Sequence, residues 1–437
     1  MLADFLARSG YQMGKTPLLP IFANALGASG AFLGAIVSVS TITGLVLKPF
    51  FGILSDHGGR RVWLLIGTCF FAFMPFTYGF ITSTEQLLVI RLVHGLATAI
   101  YGPVTLAYIA ELSRRDPGDA ASEGGAGSLS RSDTDRHHKT ADGGPSVAEN
   151  IGWFQMARSG GYIVGPALAG GLLTVLDPAA VFTVIGLISC AIFVPVLRLP
   201  DTWPAKRQKR KPLLQHIRNA IRDGGRTPAI WLTGCLESIT FVALYTLKAF
   251  LPIYALAAGV SVALVGTFFS IQEAAHVIAK PYCGRLGDRM GYLISISLGM
   301  LALAASLPLV SALDGGAAFL APALMMGLAQ ALIFPAATAL VSDRISPEHL
   351  GAGMGLIGMM QNFGKVAGPI LGGLAIQALG YEATLLCLSA MLALGTLVIW
   401  VFFVSHSVPG PRTNSLKNNV KAQDVQDSDT LHDYPAG

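Results

Sequence analysis

Charged residues are scarce in this chain. They make up 13% of its 437 residues, whereas a soluble domain carries about 25%, and 52% of the residues are apolar. The charges crowd into a few short stretches and leave apolar runs of about 20 residues between them, the length that crosses a hydrocarbon core of roughly 30 Å. This distribution argues against two or three soluble domains and predicts an integral membrane protein.

The sequence also lacks motifs of catalysis and of metal binding. No phosphate-binding loop, nucleophile elbow or metal-ligand cluster occurs, which argues against an enzyme and against ATP-driven pumping. His137 and His138 are adjacent in a stretch rich in Ser, Gly, Asp and Arg, which we interpret as a solvated linker rather than a metal site. We therefore expect no cofactor, no metal and no nucleic-acid partner.

Cysteine is rare and forms no framework. The five cysteines lie in separate apolar runs, at spacings that fit neither a metal site nor a set of disulfides. We interpret them as small buried hydrophobic residues. They are Cys69, Cys190, Cys235, Cys283 and Cys387.

The apolar runs number twelve and are predicted to be helices, because lipid offers no hydrogen-bond partner to an unpaired backbone group. The fold class is therefore an all-α membrane protein with twelve transmembrane helices. The predicted spans are residues 2–26, 31–54, 62–81, 86–110, 149–174, 179–198, 229–257, 262–283, 291–312, 317–341, 352–378 and 383–404.

Basic residues lie in alternate loops, and the remaining loops hold almost only acidic residues. By the positive-inside rule the basic side is cytoplasmic, so both termini are expected in the cytoplasm. We expect the cell's inner (cytoplasmic) membrane or a membrane derived from it. The basic residues are Arg60, Arg61, Arg114, Arg115, Arg285, Arg289, Arg344 and the run from Lys206 to Lys211.

The spans and the polar stretches between them divide the chain into six segments. The polar insert and the tail are expected to be disordered, and Leu213, Leu214, Ile217 and Ile221 predict a short amphipathic helix in the linker. The segments are helices 1–4 (1–112), the insert (113–147), helices 5–6 (148–199), the linker (200–227), helices 7–12 (228–405) and the tail (406–437).

The two groups of six spans repeat one another. At an offset of 232 residues, Lys48-Pro49, Gly52 and Asp56 recur as Lys280-Pro281, Gly284 and Asp288. From the fifth span the offset is 203, and Gly152, Gly161, Gly165 and Pro166 recur as Gly355, Gly364, Gly368 and Pro369. The difference of 29 residues falls in the insert at 113–147. Two six-helix bundles in parallel repeat are an arrangement that some transporters use to rock about a central site.

These motifs resemble those of the major facilitator superfamily. The segment from Gly52 to Arg61 is similar to that family's loop between helices 2 and 3, and Gly284 to Gly291 resembles the weaker copy, without the final arginine pair. Arg91-x2-His94-Gly95 resembles the helix 4 motif, with His94 where glutamine is more usual. The stretch from Gly152 to Pro166 resembles the helix 5 motif of proton-coupled exporters, with Ala169 where that motif usually has glycine. The resemblance covers nearly the whole chain and implies a transporter of the drug and solute antiporter branch.

The resemblance also implies a gate at the cytoplasmic end, where the Asp56 cluster closes the outward-facing state. Asp56 is expected to face a helix N-terminus or to pair with Arg114 or Arg115, and the alternative is a charged turn that only sets topology. The glycine face of helix 5 is expected to pack against the other half, with ordinary helix packing as the alternative. The residues assigned to gating are Gly52, Asp56, Arg60, Arg61, Gly161, Gly165, Pro166, Gly284 and Asp288.

We single out eight charged residues inside the predicted spans. A charge at mid-membrane costs about 2.5–3.5 kcal/mol against lipid, so we expect all eight to face a cavity or one another. They lie on helices 1, 4, 5, 7, 8 and 11, whereas helices 3, 6, 9 and 12, which the resemblance implies are the outer supports, carry none. The residues predicted to bind substrate are Arg8, Lys15, Arg158, Lys248 and Lys365; the other three are Arg91, Glu237 and Glu273.

Six of the eight charges are cationic, which predicts an anionic substrate or an anionic metal chelate. The alternative is internal pairing of the two glutamates with cations. Glu273 is the predicted proton carrier, and His276, one turn further on, is a second titrating group. Glu237 and Arg91 complete the residues assigned to proton coupling.

Three functions remain open at this point. The first is a secondary transporter that moves a small solute by alternating access, as a proton-coupled exporter. The second is a transporter or exchanger of organic anions or metal chelates, for example of iron. The third is a membrane sensor or scaffold that does not transport. The expected partners are a small-molecule substrate, protons and the lipid bilayer.

Overall fold

The computed structural model describes residues 1–112, 147–200, 228–312, 316–344 and 350–405, which are almost entirely helical and contain no strand. They form the twelve predicted helices. The predicted linker helix, the tail and nearly all of the insert lie outside these ranges.

The first half comprises α1 to α6 and the second half α7 to α12. In the first half the helices are α1 (Leu2–Met13, Gly14–Leu18 and Leu19–Ala25), α2 (Gly30–Gly58), α3 (Arg60–Thr77), α4 (Thr84–Leu112), α5 (Val147–Leu172) and α6 (Pro178–Cys190 and Phe193–Leu197). In the second half they are α7 (Pro228–Ala257), α8 (Val262–Met290), α9 (Tyr292–Ala312), α10 (Ala321–Arg344), α11 (Leu350–Leu379) and α12 (Tyr381–Ser405).

Within the described residues, nine helices have the length and composition to cross a membrane. The three exceptions are α1, α5 and α11. All three carry intramembrane charges, which lower their mean hydropathy, and α5 and α11 also contain many glycines. Such residues are tolerated where a helix packs against protein or lines a cavity rather than facing lipid.

The repeat is visible in the packing. A Cβ atom on Gly52 would lie 3.9 Å from the Cβ of Pro103, and a Cβ atom on Gly284 would lie 3.9 Å from the Cβ of Pro335. Both pairs are related by the offset of 232 predicted from the sequence. The insert agrees as well, because 34 residues separate α4 from α5, whereas five separate α10 from α11.

A π-helical segment, Gly14–Leu18, interrupts α1, and Thr16 within it has φ −148° and ψ 121°. A π-bulge inserts one extra residue into a helix. Before this segment α1 matches α7 at an offset of 233, and after it at 232. Lys15 thereby becomes the counterpart of Lys248, and the two lysines stand at equivalent places in the two halves.

Each half has its own apolar core, and the two halves share one cluster. Ala249 and Phe250 of α7 pack with Leu18 and Phe22 of α1. Apolar side chains on α3, α6, α9 and α12 point outward. The cysteines follow the same pattern: Cys69, Cys235 and Cys387 are exposed. The expectation that the cysteines are buried is therefore wrong for these three, because they lie on outward helix faces.

The two halves meet at one end of the molecule. We call the end that carries Met1, Leu112 and Val147 the terminal face, and the other end the opposite face. Toward the opposite face, a Cβ atom on Gly34 of α2 would collide with the carbonyl oxygen of Pro369 on α11. Gly266 of α8 stands in the same way against Pro166 of α5. The repeat offsets relate these two contacts, so the two glycine–proline contacts between the halves are equivalent.

Toward the terminal face the same helices are apart. A Cβ atom on Gly152 of α5, or on Gly355 or Gly358 of α11, would meet no atom within 4 Å. Trp153 is 52% exposed, and Tyr282 of α8 is 68% exposed. The halves thus enclose a cleft that is closed at the opposite face and open at the terminal face.

Candidate functional site

Two lysines from different halves meet at one aromatic ring in the cleft. The Nζ atom of Lys15 lies 4.9 Å from the centroid of the Tyr245 ring, and the Nζ atom of Lys248 lies 5.7 Å from it. Lys15 also lies 5.7 Å from the ring of Tyr11. Such contacts contribute about 0.5–2 kcal/mol each. Two of the lysines predicted to bind substrate therefore sit where the two halves face each other.

Lys248 has an acidic partner on α8. Its Nζ atom donates to Oε1 of Glu273 at 2.7 Å, and Oε2 of Glu273 lies 3.9 Å from Nδ1 of His276. The three side chains are between 13% and 19% exposed, so none of them is fully buried. The structure thus brings together a carboxylate, an ammonium and an imidazole at the cleft.

An aromatic run connects His276 with α11. The ring of Phe334 lies 5.7 Å from that of His276 and stacks on Phe241 at 4.9 Å. The Nζ atom of Lys365 lies 4.4 Å from the centroid of Phe241. Lys365 therefore reaches the same part of the cleft as Glu273.

Two further acids hold helix pairs together at equivalent places. Asp4 of α1 accepts from Nε of Arg158 of α5 at 2.9 Å and from its Nη2 at 3.1 Å. Glu237 of α7 accepts from Nε2 of Gln361 of α11 at 2.8 Å. The offsets of 233 and 203 relate these pairs, and glutamine replaces arginine in the second half.

The contacts of Asp4 involve Arg8 and Arg158, the two arginines predicted to bind substrate. Asp4 is 2% exposed, binds Arg158 and lies 3.7 Å from Nε of Arg8. Both arginines thus have an acidic neighbour within the first half. Asp4 was not predicted as a site residue because it stands at the start of the chain, although its match to Glu237 through the repeat would have indicated it.

Arg91 and His94 are tied to the first half. Nη2 of Arg91 donates to Oγ of Ser40 at 2.7 Å, and Nδ1 of His94 lies 3.0 Å from the hydroxyl of Tyr78. Arg91 is 1% exposed. Among the described side chains it contacts neither of the glutamates assigned to proton coupling.

The arginines assigned to gating bind within the first half. Nη2 of Arg60 donates to Oε1 of Glu111 at 2.7 Å, and its Nη1 donates to Oγ of Ser55 at 2.7 Å. Nη2 of Arg61 donates to the carbonyl of Leu197 at 2.6 Å. Glu111 was not singled out in the sequence, because an acid at the end of a span looks like an ordinary boundary residue.

The predicted pairing of Asp56 with Arg114 or Arg115 lies outside the described residues. Asp56 belongs to α2, but its side chain is not described. Its repeat counterpart Asp288 is exposed at the end of α8. Lys48 was also missed as an intramembrane charge; its Nζ atom lies beside α2 and α4, close to Gly44 and Thr98.

The glycine face of α5 has a different neighbour from the one expected. A Cβ atom on Gly161 would lie 2.8 Å from the Cβ of Arg8, and one on Gly165 would lie 2.7 Å from the Cβ of Gln12. The expectation that these glycines pack against the other half is wrong, since they admit α1 of the same half. Pro166, one residue further on, does face the other half through Gly266.

Comparison with known proteins agrees with this architecture. The sequence model of the Major Facilitator Superfamily matches residues 2–271 and again residues 236–426. This chain belongs to the Major Facilitator Superfamily. The two matches correspond approximately to the two halves of the repeat. The chain is accordingly a membrane transporter and not an enzyme.

Relatives and solved structures within the superfamily are distant but cover nearly the whole chain. Multidrug resistance protein MdtG of Proteus mirabilis is 22% identical over 91% of this chain and 93% of its own length. Multidrug resistance protein 1 of Bacillus subtilis is 23% identical over 82% of this chain and 84% of its own length. The crystal structure of the nucleoside transporter NupG superposes with a TM-score of 0.74 at 14% identity, covering 92% of this chain and 97% of NupG. That likeness shows the shared fold.

Proposed function

We propose that this chain is a proton-coupled secondary transporter that exports a small solute from the cytoplasm by alternating access. The observation that carries the proposal is the Glu273 carboxylate held by Lys248 at 2.7 Å, with His276 beside it, in a cleft that is open at one face only. A titratable acid at this place links proton binding to the contacts between helices of the cleft.

The closed end of the cleft supports alternating access. The contacts of Gly34 with Pro369 and of Gly266 with Pro166 are copies of one another in the two halves. Two equivalent contacts that seal one face leave the halves able to rock about the centre, as parallel repeats do in other transporters. The basic loops favour the terminal face as the cytoplasmic one, so this state would be open to the cytoplasm.

Proton coupling follows from the environment of Glu273. Protonation would cancel its negative charge and release the ammonium of Lys248, which would then carry an uncompensated positive charge. His276 and the hydroxyl of Tyr245 are the other titratable groups near this carboxylate. Exchange of one charge partner for another is the step that would tie proton binding to solute binding.

The export direction is supported by two resemblances. The stretch from Gly152 to Pro166 resembles the helix 5 motif of proton-coupled exporters. The relatives from P. mirabilis and B. subtilis bear the name of multidrug resistance proteins. A non-transporting sensor would bind a solute in the same cleft without moving it.

Flux in proteoliposomes separates these functions. A solute that raises the unfolding temperature of the purified protein is loaded on one side, and its movement is followed with and without an imposed pH gradient. We expect the gradient to drive accumulation by the wild type. Glu273→Gln should still exchange solute for solute but should no longer respond to the gradient.

Glu85→Gln is the matched control, because Glu85 is exposed at the start of α4. It should behave as the wild type. Absence of any flux would contradict the proposal and favour a sensor. Intact coupling in Glu273→Gln would remove Glu273 from the mechanism and direct attention to Glu237.

A further inference from the structure

Two lysines in the cleft form no ion pair with a described carboxylate, although the charge of Glu237, which is bound to Gln361, acts on one of them, Lys365. Among the residues that the structure describes, neither Lys15 nor Lys365 has a carboxylate within ion-pair distance, whereas Lys248 is bound to Glu273. Both are partly exposed. Lys15 comes from the first half and Lys365 from the second, so they approach the cleft from opposite walls.

The repeat explains why Lys15 is unpaired. Lys15 is the counterpart of Lys248, and the position that matches Glu273 in the first half holds Thr41. The ammonium is therefore present in both halves, but its carboxylate is present in only one. Lys15 also lies close enough to Arg91, Lys48 and Lys248 to be repelled by each of them. An uncompensated cation among cations favours a negative charge beside it.

The aromatic rings of the cleft already contact lysine side chains. Lys15 and Lys248 both approach the ring of Tyr245, and Lys365 approaches the ring of Phe241 at 4.4 Å. A cationic solute would bind the same ring faces by the same interaction. It would have to displace an ammonium group and then remain beside it, which like-charge repulsion opposes.

We propose that the cleft binds organic anions: carboxylates with an apolar or aromatic body. Lys15 and Lys365 bind the acidic group, and the rings of Tyr245 and Phe241 contact the body once the ammonium groups have turned toward the anion. An anion held by one lysine from each half also joins the two walls of the cleft. The inference rests on the proposed transport function, whose substrate class it specifies.

The proposal is tested with probes that differ only in charge. Unfolding temperatures of the full chain in detergent are measured with 2-naphthoate, 2-naphthamide and 2-naphthylmethylammonium, and with matched sets built on phenyl and cyclohexyl bodies. We expect the carboxylates to give the largest shifts. Lys15→Gln and Lys365→Gln should each weaken carboxylate binding roughly tenfold, because each removes a charge-assisted hydrogen bond.

Two further variants separate charge recognition from general damage. Lys15→Arg keeps the positive charge and should retain carboxylate binding to a large extent. Lys280→Gln removes an exposed lysine on α8 and should bind as the wild type does. If Lys280→Gln weakened binding as much as Lys15→Gln, the assigned lysine site would be wrong.

The outcomes for substrate class and for transport are distinct. If no carboxylate shifts the unfolding temperature more than its amide and ammonium counterparts do, the anion site is wrong. An ammonium probe that binds best and is transported would overturn the anion site and leave proton-coupled transport intact. A carboxylate that binds through Lys15 and Lys365 but shows no flux would support the anion site and contradict the transport function.

Discussion

The ammonium of Lys248 lies 2.7 Å from the carboxylate of Glu273, and its counterpart Lys15 has no such partner in the part of the chain that the structure describes. The two lysines occupy equivalent positions in the repeat, but the position that matches Glu273 holds Thr41 in the first half, so the surroundings of the two lysines differ. The second half thus places a carboxylate beside this lysine, whereas the first half offers the matching lysine none among the described residues. This difference between two halves of the same architecture is the basis of the proposed mechanism.

The Lys248–Glu273 pair is expected to show strong coupling in a double-mutant cycle. Each of Lys248→Gln and Glu273→Gln leaves one charge without its partner, whereas the double variant removes both. Because both side chains are partly exposed, we expect a coupling free energy of about 1–3 kcal/mol rather than that of a dry pair. The measurement is the free energy of unfolding in detergent at low salt. Additive effects would mean that the contact is not energetically significant.

Asp4 is expected to be essential for the stability of the first half. Asp4→Asn leaves buried Arg8 and partly exposed Arg158 without their negative neighbour, which should destabilise the protein by about 2–4 kcal/mol. Arg158→Gln should cost less, since it recreates the glutamine–acid pair that Gln361 and Glu237 form in the second half. The unfolding temperatures of the two variants test this order. Equal losses would argue against the equivalence of the two pairs.

The contact between α5 and α1 leaves no room for side chains. Gly165→Ala would place a Cβ atom 2.7 Å from that of Gln12 and 2.9 Å from the carbonyl oxygen of Ser9. We expect a loss of about 1–3 kcal/mol in the free energy of unfolding. Gly171→Ala, on the same helix, meets no atom within 4 Å and should be neutral or slightly stabilising. A neutral Gly165→Ala would show that α1 and α5 can separate without cost.

A bulky residue at the closed end should shift the equilibrium between the two states. Gly34→Leu cannot coexist with the observed contact to Pro369, so the opposite face should open and the terminal face should close. A single cysteine at Gly355 reports on the terminal face through its rate of maleimide labelling, in a background without native cysteines. We expect slower labelling in Gly34→Leu and loss of transport.

Gly79→Leu serves as the control for this experiment, because Gly79 has open space around it. Its labelling rate should match that of the parent protein. Unchanged labelling in Gly34→Leu would show that the contact with Pro369 does not govern the open state.

The fold was predictable because the sequence patterns that indicate it extend over many residues and occur in both halves. Apolar runs of membrane length gave twelve helices, and the offsets of 232 and 203 placed Gly52 and Gly284 in equivalent contacts with Pro103 and Pro335. The intramembrane charges singled out Lys15, Lys248 and Glu273, although not that Lys248 and Glu273 bind one another. Each of these inferences needs only hydropathy and register, which a single sequence contains.

Side-chain partners were predictable only in part, because they depend on helix rotation and on the ends of spans. Asp4 and Glu111 stand where a polar residue normally marks the membrane boundary, so hydropathy did not indicate their pairing with Arg158 and Arg60, and only the repeat match of Asp4 to Glu237 pointed to one of them. The neighbour of Gly161 was mispredicted for a related reason. A smooth glycine face indicates close packing but does not identify the helix that packs against it.

Alternating access can be measured as distances between spin labels, by pulsed electron paramagnetic resonance. Spin labels at Trp153 and Tyr282 report on the terminal face, and labels at Val175 and Leu256 on the opposite face. We expect that Glu273→Gln and a bound carboxylate each change both distances, with one distance shortening as the other lengthens. Transport by a protein in which both distances stay fixed under all conditions would contradict it.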